Sequence, residues 1–245
     1  MIYTKITVLL FISFACIACS NKEKNYIELG KHPINIPKRE DNTLPIVYVS
    51  FIYTTKPSKA NGFDNKDQMI KEINILNQYF VDENNQKIFR FKPYRYYSYA
   101  NFSKRNCDLA YRLNQPRKII TESIPNSVKR CFPERKSKEI FFIIYDAYNE
   151  KLKYRDVTSW GFRNMGQPFI LIDWQRLNYN IQAATPHEMG HAFGLKHFCT
   201  PGAKLSDSTN IMSSSDCKLG NGGQRNIGFN HVQISTILNY YQNFR

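Results

Sequence analysis

Apolar positions along the chain follow several distinct patterns. Residues 44–55 (LPIVYVSFIYTT) and 139–146 (EIFFIIYD) are short, nearly unbroken apolar runs rich in β-branched and aromatic residues, which predicts two buried strands. Residues 65–80 instead repeat Met69, Ile73, Leu76 and Phe80 on one helical face, with Asp64 placed as N-cap and Asp67 near the positive end of the helix. Residues 87–99 alternate, with Phe89, Phe91, Tyr97 and Tyr99 on one side, and Pro93 moves that strand to a sheet edge or breaks it. Residues 157–162 and 169–173 read as two short strands around a turn at 164–167. A helix falls within 175–194. A last helix over 232–244 carries Ile234, Ile237, Leu238 and Tyr241 on one face, with Asn230 and Gln233 spaced as a capping box. Residues 101–138 show no clear period and read as a loop-rich insertion held by Cys107 and Cys131. Strands and helices alternate up to residue 194 and irregular sequence dominates after it, which predicts an α/β (α+β) fold.

The first residues carry an address. Lys5 precedes an apolar run over 6–17 (ITVLLFISFACI), too short for an ordinary membrane span and suited to a secretory signal over 1–18. Ile17-Ala18-Cys19-Ser20 resembles the lipobox of bacterial lipoproteins, although Cys16 stands where Leu or Val is usual. The resemblance implies cleavage before Cys19 and its lipidation; cleavage after Ala18 without lipid, or an uncleaved anchor, are the alternatives. Residues 19–43 are polar, contain Pro33 and Pro37, and read as a tether, with His32 facing solvent. The expected location is therefore the bacterial cell envelope, as a lipoprotein of the outer membrane or facing the periplasm, or outside the cell if no lipid is added. Cys107, Cys131, Cys199 and Cys217 remain. In an oxidising compartment the pairing that closes the smallest loops is Cys107 with Cys131 and Cys199 with Cys217.

Three of the five histidines fall in His187-Glu188-Met189-Gly190-His191-Ala192-Phe193-Gly194-Leu195-Lys196-His197. His187 and His191, one turn apart, share a helix face, so two imidazoles can meet one metal ion. Glu188 sits beside the first of them and can hold a water. Gly194 can adopt the left-handed conformation that ends a helix, after which the chain turns back to offer His197. Three neutral nitrogens with an open fourth position suit one catalytic zinc ion.

This stretch resembles the metzincin zinc metalloproteases, whose extended motif is followed by a Met-turn; here that turn is Asn210-Ile211-Met212-Ser213. The resemblance is dense over 185–213 and upstream extends only through the order of elements. It implies a twisted, mostly parallel mixed sheet with the active-site helix, and an irregular lower half ending in a helix. The catalytic domain would span 44–245, divided near 194 and 195. It also implies Met212 as the floor beneath the imidazoles, Glu188 as general base and a peptide or protein substrate. That substrate would pair with an edge strand, by chain order the one carrying Trp160, Gly161 and Phe162, although Trp160 and Phe162 suit a core role equally well. Pro186 leaves two helix starts open. Thr185 can be an N-cap with Glu188 completing a capping box, or the helix begins near Asn178 and kinks at Pro186, as the family pattern favours.

Charge changes the picture least. The chain carries a net +14, of which residues 87–138 hold 14 Lys and Arg against Asp108, Glu122 and Glu134. In an exported protein this excess suits an anionic membrane surface or an acidic substrate region, or is a solvated basic face. Nucleic acid is not expected. The reading is of a monomeric, exported zinc endopeptidase tethered to a membrane. A zinc hydrolase of another amide, such as a cell-wall peptide, and a non-catalytic zinc-binding lipoprotein are the alternatives.

Overall fold

The computed structural model describes residues 43–57, 62–113, 117–149, 153–155, 158–178, 184–214 and 221–244; the expected signal and most of the tether lie outside these, as does Cys217. The two apolar runs form β1 (Ile46–Tyr53) and β3 (Glu139–Tyr145), every residue of β3 being buried. Strands enclosed on both faces need continuous apolar sequence, and parallel strands are enclosed this way. With β2 (Arg90–Tyr97), β6 (Ser159–Phe162) and β7 (Phe169–Asp173) they build one five-stranded sheet in the order β2-β1-β3-β7-β6. All neighbours are parallel except β6, which returns antiparallel to β7 after a tight turn over Asn164–Gly166. A small antiparallel ribbon of β4 (Tyr148–Asn149) and β5 (Tyr154–Arg155) lies between β3 and β6 in the chain.

Alternation along the strands divides the interior into two cores. Val47, Val49, Phe51, Phe142, Ile144, Ile170 and Ile172 face one layer, formed by α1 (Lys66–Tyr79), α5 (Ala184–Ala192) and α6 (His231–Asn243). Ile52, Phe141, Ile143, Phe169 and Leu171 face the other, formed by α2 (Tyr99–Ser103), α3 (Leu109–Leu113) and α4 (Arg117–Cys131). The stretch expected to be loop-rich is thus largely helical. Its helices are anchored by Phe102, Leu109, Leu113, Ile124 and Val128 and tied by the Cys107–Cys131 disulfide, the pairing expected from loop size.

Three local expectations are corrected. The N-cap of α1 is Asn65, whose side chain accepts from Gln68 N at 2.8 Å, while Asp64 accepts from Tyr96 OH and Tyr99 N. Strand β2 occupies an edge, as Pro93 required, but Val49 pairs with Pro93 and Phe51 with Tyr96, so β2 carries one extra residue. That bulge reverses the alternation, sending Phe91 into the first core and Tyr97 towards the second. In α6 the capping box of Asn230 and Gln233 is present, and Ile234, Ile237, Tyr240 and Tyr241 pack on the first core; Leu238, expected with them, is exposed.

Much of the basic segment is used internally. Arg95 grips the fully buried Glu139, with Nη2 donating to Oε2 at 2.6 Å, and Glu139 also accepts from Ser50. Arg112 and Arg130 share Asp108, and Arg105 donates to Cys131 O. Lys138 donates to Tyr241 O and Phe244 O at 2.6 Å, capping the negative end of α6.

Candidate metal centre

Strand β7 delivers the chain to α5, the helix carrying the first two histidines. Thr185 and Pro186 already lie inside the helix, so Thr185 is not its N-cap. Asn178 has a φ of 69° and is not helical, and the residues between it and Ala184 lie outside those described. Thr185 donates instead to Glu72 Oε2 at 2.9 Å across the core. Glu72 is completely buried on α1 and also accepts from Gln68 Nε2 and Asn178 N, so one carboxylate ties together α1, the segment before α5 and the start of α5. Burial raises its pKa from 4.5 to about 7, against the lowering effect of these three hydrogen bonds.

The other end of α5 is closed locally. Gly194 has a φ of 91°, Gly194 N donates to His191 O at 2.8 Å and Leu195 N to Gly190 O at 3.1 Å, which is a Schellman motif. The turn does more than end the helix: Leu195 O accepts from His191 Nδ1 at 2.8 Å. His187 is oriented from further away, its Nδ1 donating to Ile211 O at 2.7 Å.

Both rings therefore carry their proton on Nδ1, leaving the Nε2 lone pairs 3.2 Å apart. Two acceptors this close repel, and a shared cation turns the repulsion into ligation. Nitrogens about 2.1 Å from one tetrahedral ion lie roughly 3.4 Å apart, so the spacing fits. His197 completes the group: one ligand atom from each histidine lies within 4.8 Å of the others, and no fourth His, Cys, Asp or Glu joins them among the described residues. His187 is buried and its pKa lies well below the ordinary value, through desolvation first and then the positive charge of Arg225. A ring held neutral is ready to be a ligand. The three imidazoles can hold a metal ion.

Glu188 follows the first ligand on the helix. It is 6% exposed, and its carboxylate has no hydrogen-bond partner among the described residues, so it is not engaged in a capping box. Cys199, two residues past His197, is disulfide-bonded and offers no thiolate; its expected partner Cys217 is not among the described residues.

The turn at 210–213 lies directly beneath α5. Ser213 N donates to Asn210 O at 2.8 Å, and Met212 is fully buried. A side chain at Gly190 would collide with Met212 Sδ, so the helix and the turn touch without intervening atoms. Phe198 N donates to Met212 O at 2.8 Å, tying the segment after His197 to the same turn. Sequence reasoning missed what holds the turn in place. The side-chain amides of Asn210 and Gln233 exchange two hydrogen bonds of 3.0 Å, and Asn210 Oδ1 also accepts from Met212 N. Arg225, buried with a φ of 54°, donates from Nε to Ser213 O. The cap of α6 thus clamps the turn whose Ile211 carbonyl aims His187. One signal for such partners was present: Glu72 interrupts the apolar face of α1, three residues after Met69 and four before Leu76.

The strand expected to meet substrate is β6, an edge with one strand neighbour. Gly161 faces α5, where a Cβ would lie 2.6 Å from His191 Cβ. Trp160 and Phe162 face the opposite way, stacked on one another at 5.2 Å and packed on the second core. Their side chains therefore serve the core, and only the main chain of β6 borders the site. Compared with known proteins, the chain matches no protein-family model and no curated protein.

Proposed function

We propose that the protein is a metzincin-type zinc endopeptidase, exported and tethered by a lipidated Cys19. The observation that carries this reading is the convergence of the His187 and His191 Nε2 atoms, with the buried Glu188 next in the chain and its carboxylate without a hydrogen-bond partner among the described residues. An all-imidazole donor set suits zinc among the divalent ions of an oxidising compartment. Zinc bound there supplies Lewis acidity toward a carbonyl oxygen and toward water. The chain's own residues do the rest. Leu195 O and Ile211 O fix the tautomer and aim of two ligands. Glu188 holds a water against the scissile carbonyl, takes its proton as the water attacks, and passes that proton to the leaving amine. The main chain of β6 offers an edge on which an extended peptide can lie.

The test compares wild type with Glu188→Ala on a broad peptide library, with zinc content measured by elemental analysis. Both proteins are expected to hold one zinc ion, and the variant to cleave more slowly by about 10²–10⁴. A zinc-loaded wild type that cleaves no peptide sinks the reading, and a wild type that takes up no zinc sinks the site itself.

A further inference from the structure

One arginine near the end of α5 packs on its neighbours without a carboxylate partner among the described residues. Arg163 follows the last residue of β6. Its carbonyl accepts from Tyr240 OH at 2.6 Å, and its guanidinium lies 4.9 Å from the centre of the Tyr240 ring. The same side chain rests on Gly194, where a Cβ would be 3.0 Å from Arg163 Nε. Arg95, Arg112, Arg130 and Arg155 all pair with Asp or Glu, whereas no carboxylate pairs with Arg163 among the described residues. Nor is Arg163 needed as a helix cap, because the Gly190 and His191 carbonyls at the end of α5 are used by the Schellman turn. Arg163 borders a cavity of about 560 Å³, lined also by Phe193, Gly194, Asn239, Tyr240 and Asn243. No acidic residue lines it, so its charge is positive, and its volume is that of a small-ligand pocket.

We propose that this cavity is a substrate subsite that takes an acidic side chain, with Arg163 as the group that recognises it. The inference rests on the peptidase reading and adds the substrate class. Gly161 is the point of β6 in contact with His191, and Arg163 lies two residues further along, roughly 7 Å at strand rise. A peptide added antiparallel to β6 runs with its N-terminal part toward Arg163. The acidic residue therefore lies two or three positions before the scissile bond. A guanidinium already resting on the Tyr240 ring and on Gly194 loses less freedom when it meets a carboxylate than an unsupported one, which favours recognition of charge and of planar shape together.

The experiment uses the purified, zinc-loaded full chain and one cleavable fluorogenic sequence. Glu, Gln or Lys is walked through four positions on each side of the bond. Wild type is expected to prefer Glu over Gln by roughly fivefold in kcat/KM at one N-terminal-side position, mainly through KM and less at high salt. Arg163→Gln brings that ratio to about one, Arg163→Lys keeps part of it, and Arg163→Glu shifts preference to the Lys peptide. Equal rates for Glu and Gln at every position in wild type, or a preference that survives Arg163→Gln, overturns the proposal. If no peptide in the series is cleaved, the peptidase reading fails separately. Fluorescence-anisotropy binding of the same Glu and Gln peptides to Glu188→Ala protein, with and without Arg163→Gln, then still decides the subsite.

Discussion

The two ends of α5 are held by opposite means. At the C-terminal end the hydrogen bonds that end the helix and aim its histidine are near in sequence: Gly194 turns the chain, Leu195 N returns to Gly190, and Leu195 O aims His191 from four residues away. At the N-terminal end everything is distant. Thr185 is held by Glu72, 113 residues earlier, and His187 is aimed by Ile211, 24 residues later, on a turn clamped by Gln233 of α6. Local support costs little chain entropy to assemble, whereas distant support exists only once the sheet and both flanking helices are in place. The His187 end should therefore be the more sensitive to remote substitutions.

The largest effect is expected at Glu72. Its folded-state pKa of about 7 exceeds the ordinary 4.5, so the native protein binds the extra proton between those values. Its contribution is most favourable below about pH 4.5 and is lost as pH rises through 7, by about 3 kcal/mol across that window. Urea unfolding at a series of pH values should show this loss in wild type and not in Glu72→Gln. A matching slope in both would remove Glu72 from the account of the N-terminal end. Next comes Gln233→Ala, which removes one partner of a buried amide pair and should destabilise by about 2 kcal/mol. Through Ile211 and His187 it should also weaken metal binding at the three histidines roughly tenfold, read by chelator competition. The smallest expected loss of stability is for Gly194→Ala, about 1 kcal/mol for a side chain in the left-handed region. If Gly194→Ala weakens metal binding more than Gln233→Ala does, the ranking of the two ends is reversed.

The C-terminal end was the part legible in advance, because His191, Gly194 and His197 obey spacings set by helix geometry alone. The buried strands β1 and β3 were legible for a similar reason, since enclosure on both faces leaves few polar positions, Ser50 and Glu139 being the buried exceptions that pair with each other. The strand edge at Pro93 was readable too, while the bulge after it was not: an extra residue is visible only against the partner strand. Helices α2 to α4 were missed because each is short or interrupted, α4 by Pro125, and none shows a sustained period. Their order comes from packing on the sheet and from the Cys107–Cys131 link rather than from propensity. The surplus of positive charge suggested a partner, but Arg95, Arg105, Arg112, Arg130 and Lys138 are committed within the protein. Arg163, outside that segment, has no carboxylate partner among the described residues.

By itself the sequence determined the elements whose chemistry is periodic or local: the buried strands, the helical spacing of His187 and His191, the glycine that ends the helix and the capping box of α6. Tertiary structure decided which carbonyl aims His187, which carboxylate steadies the start of α5, and which face of β6 meets the site. Those choices depend on atoms brought together from residues tens of positions apart. Hydrophobic periodicity records which side of an element is buried, but not which polar partner it meets there.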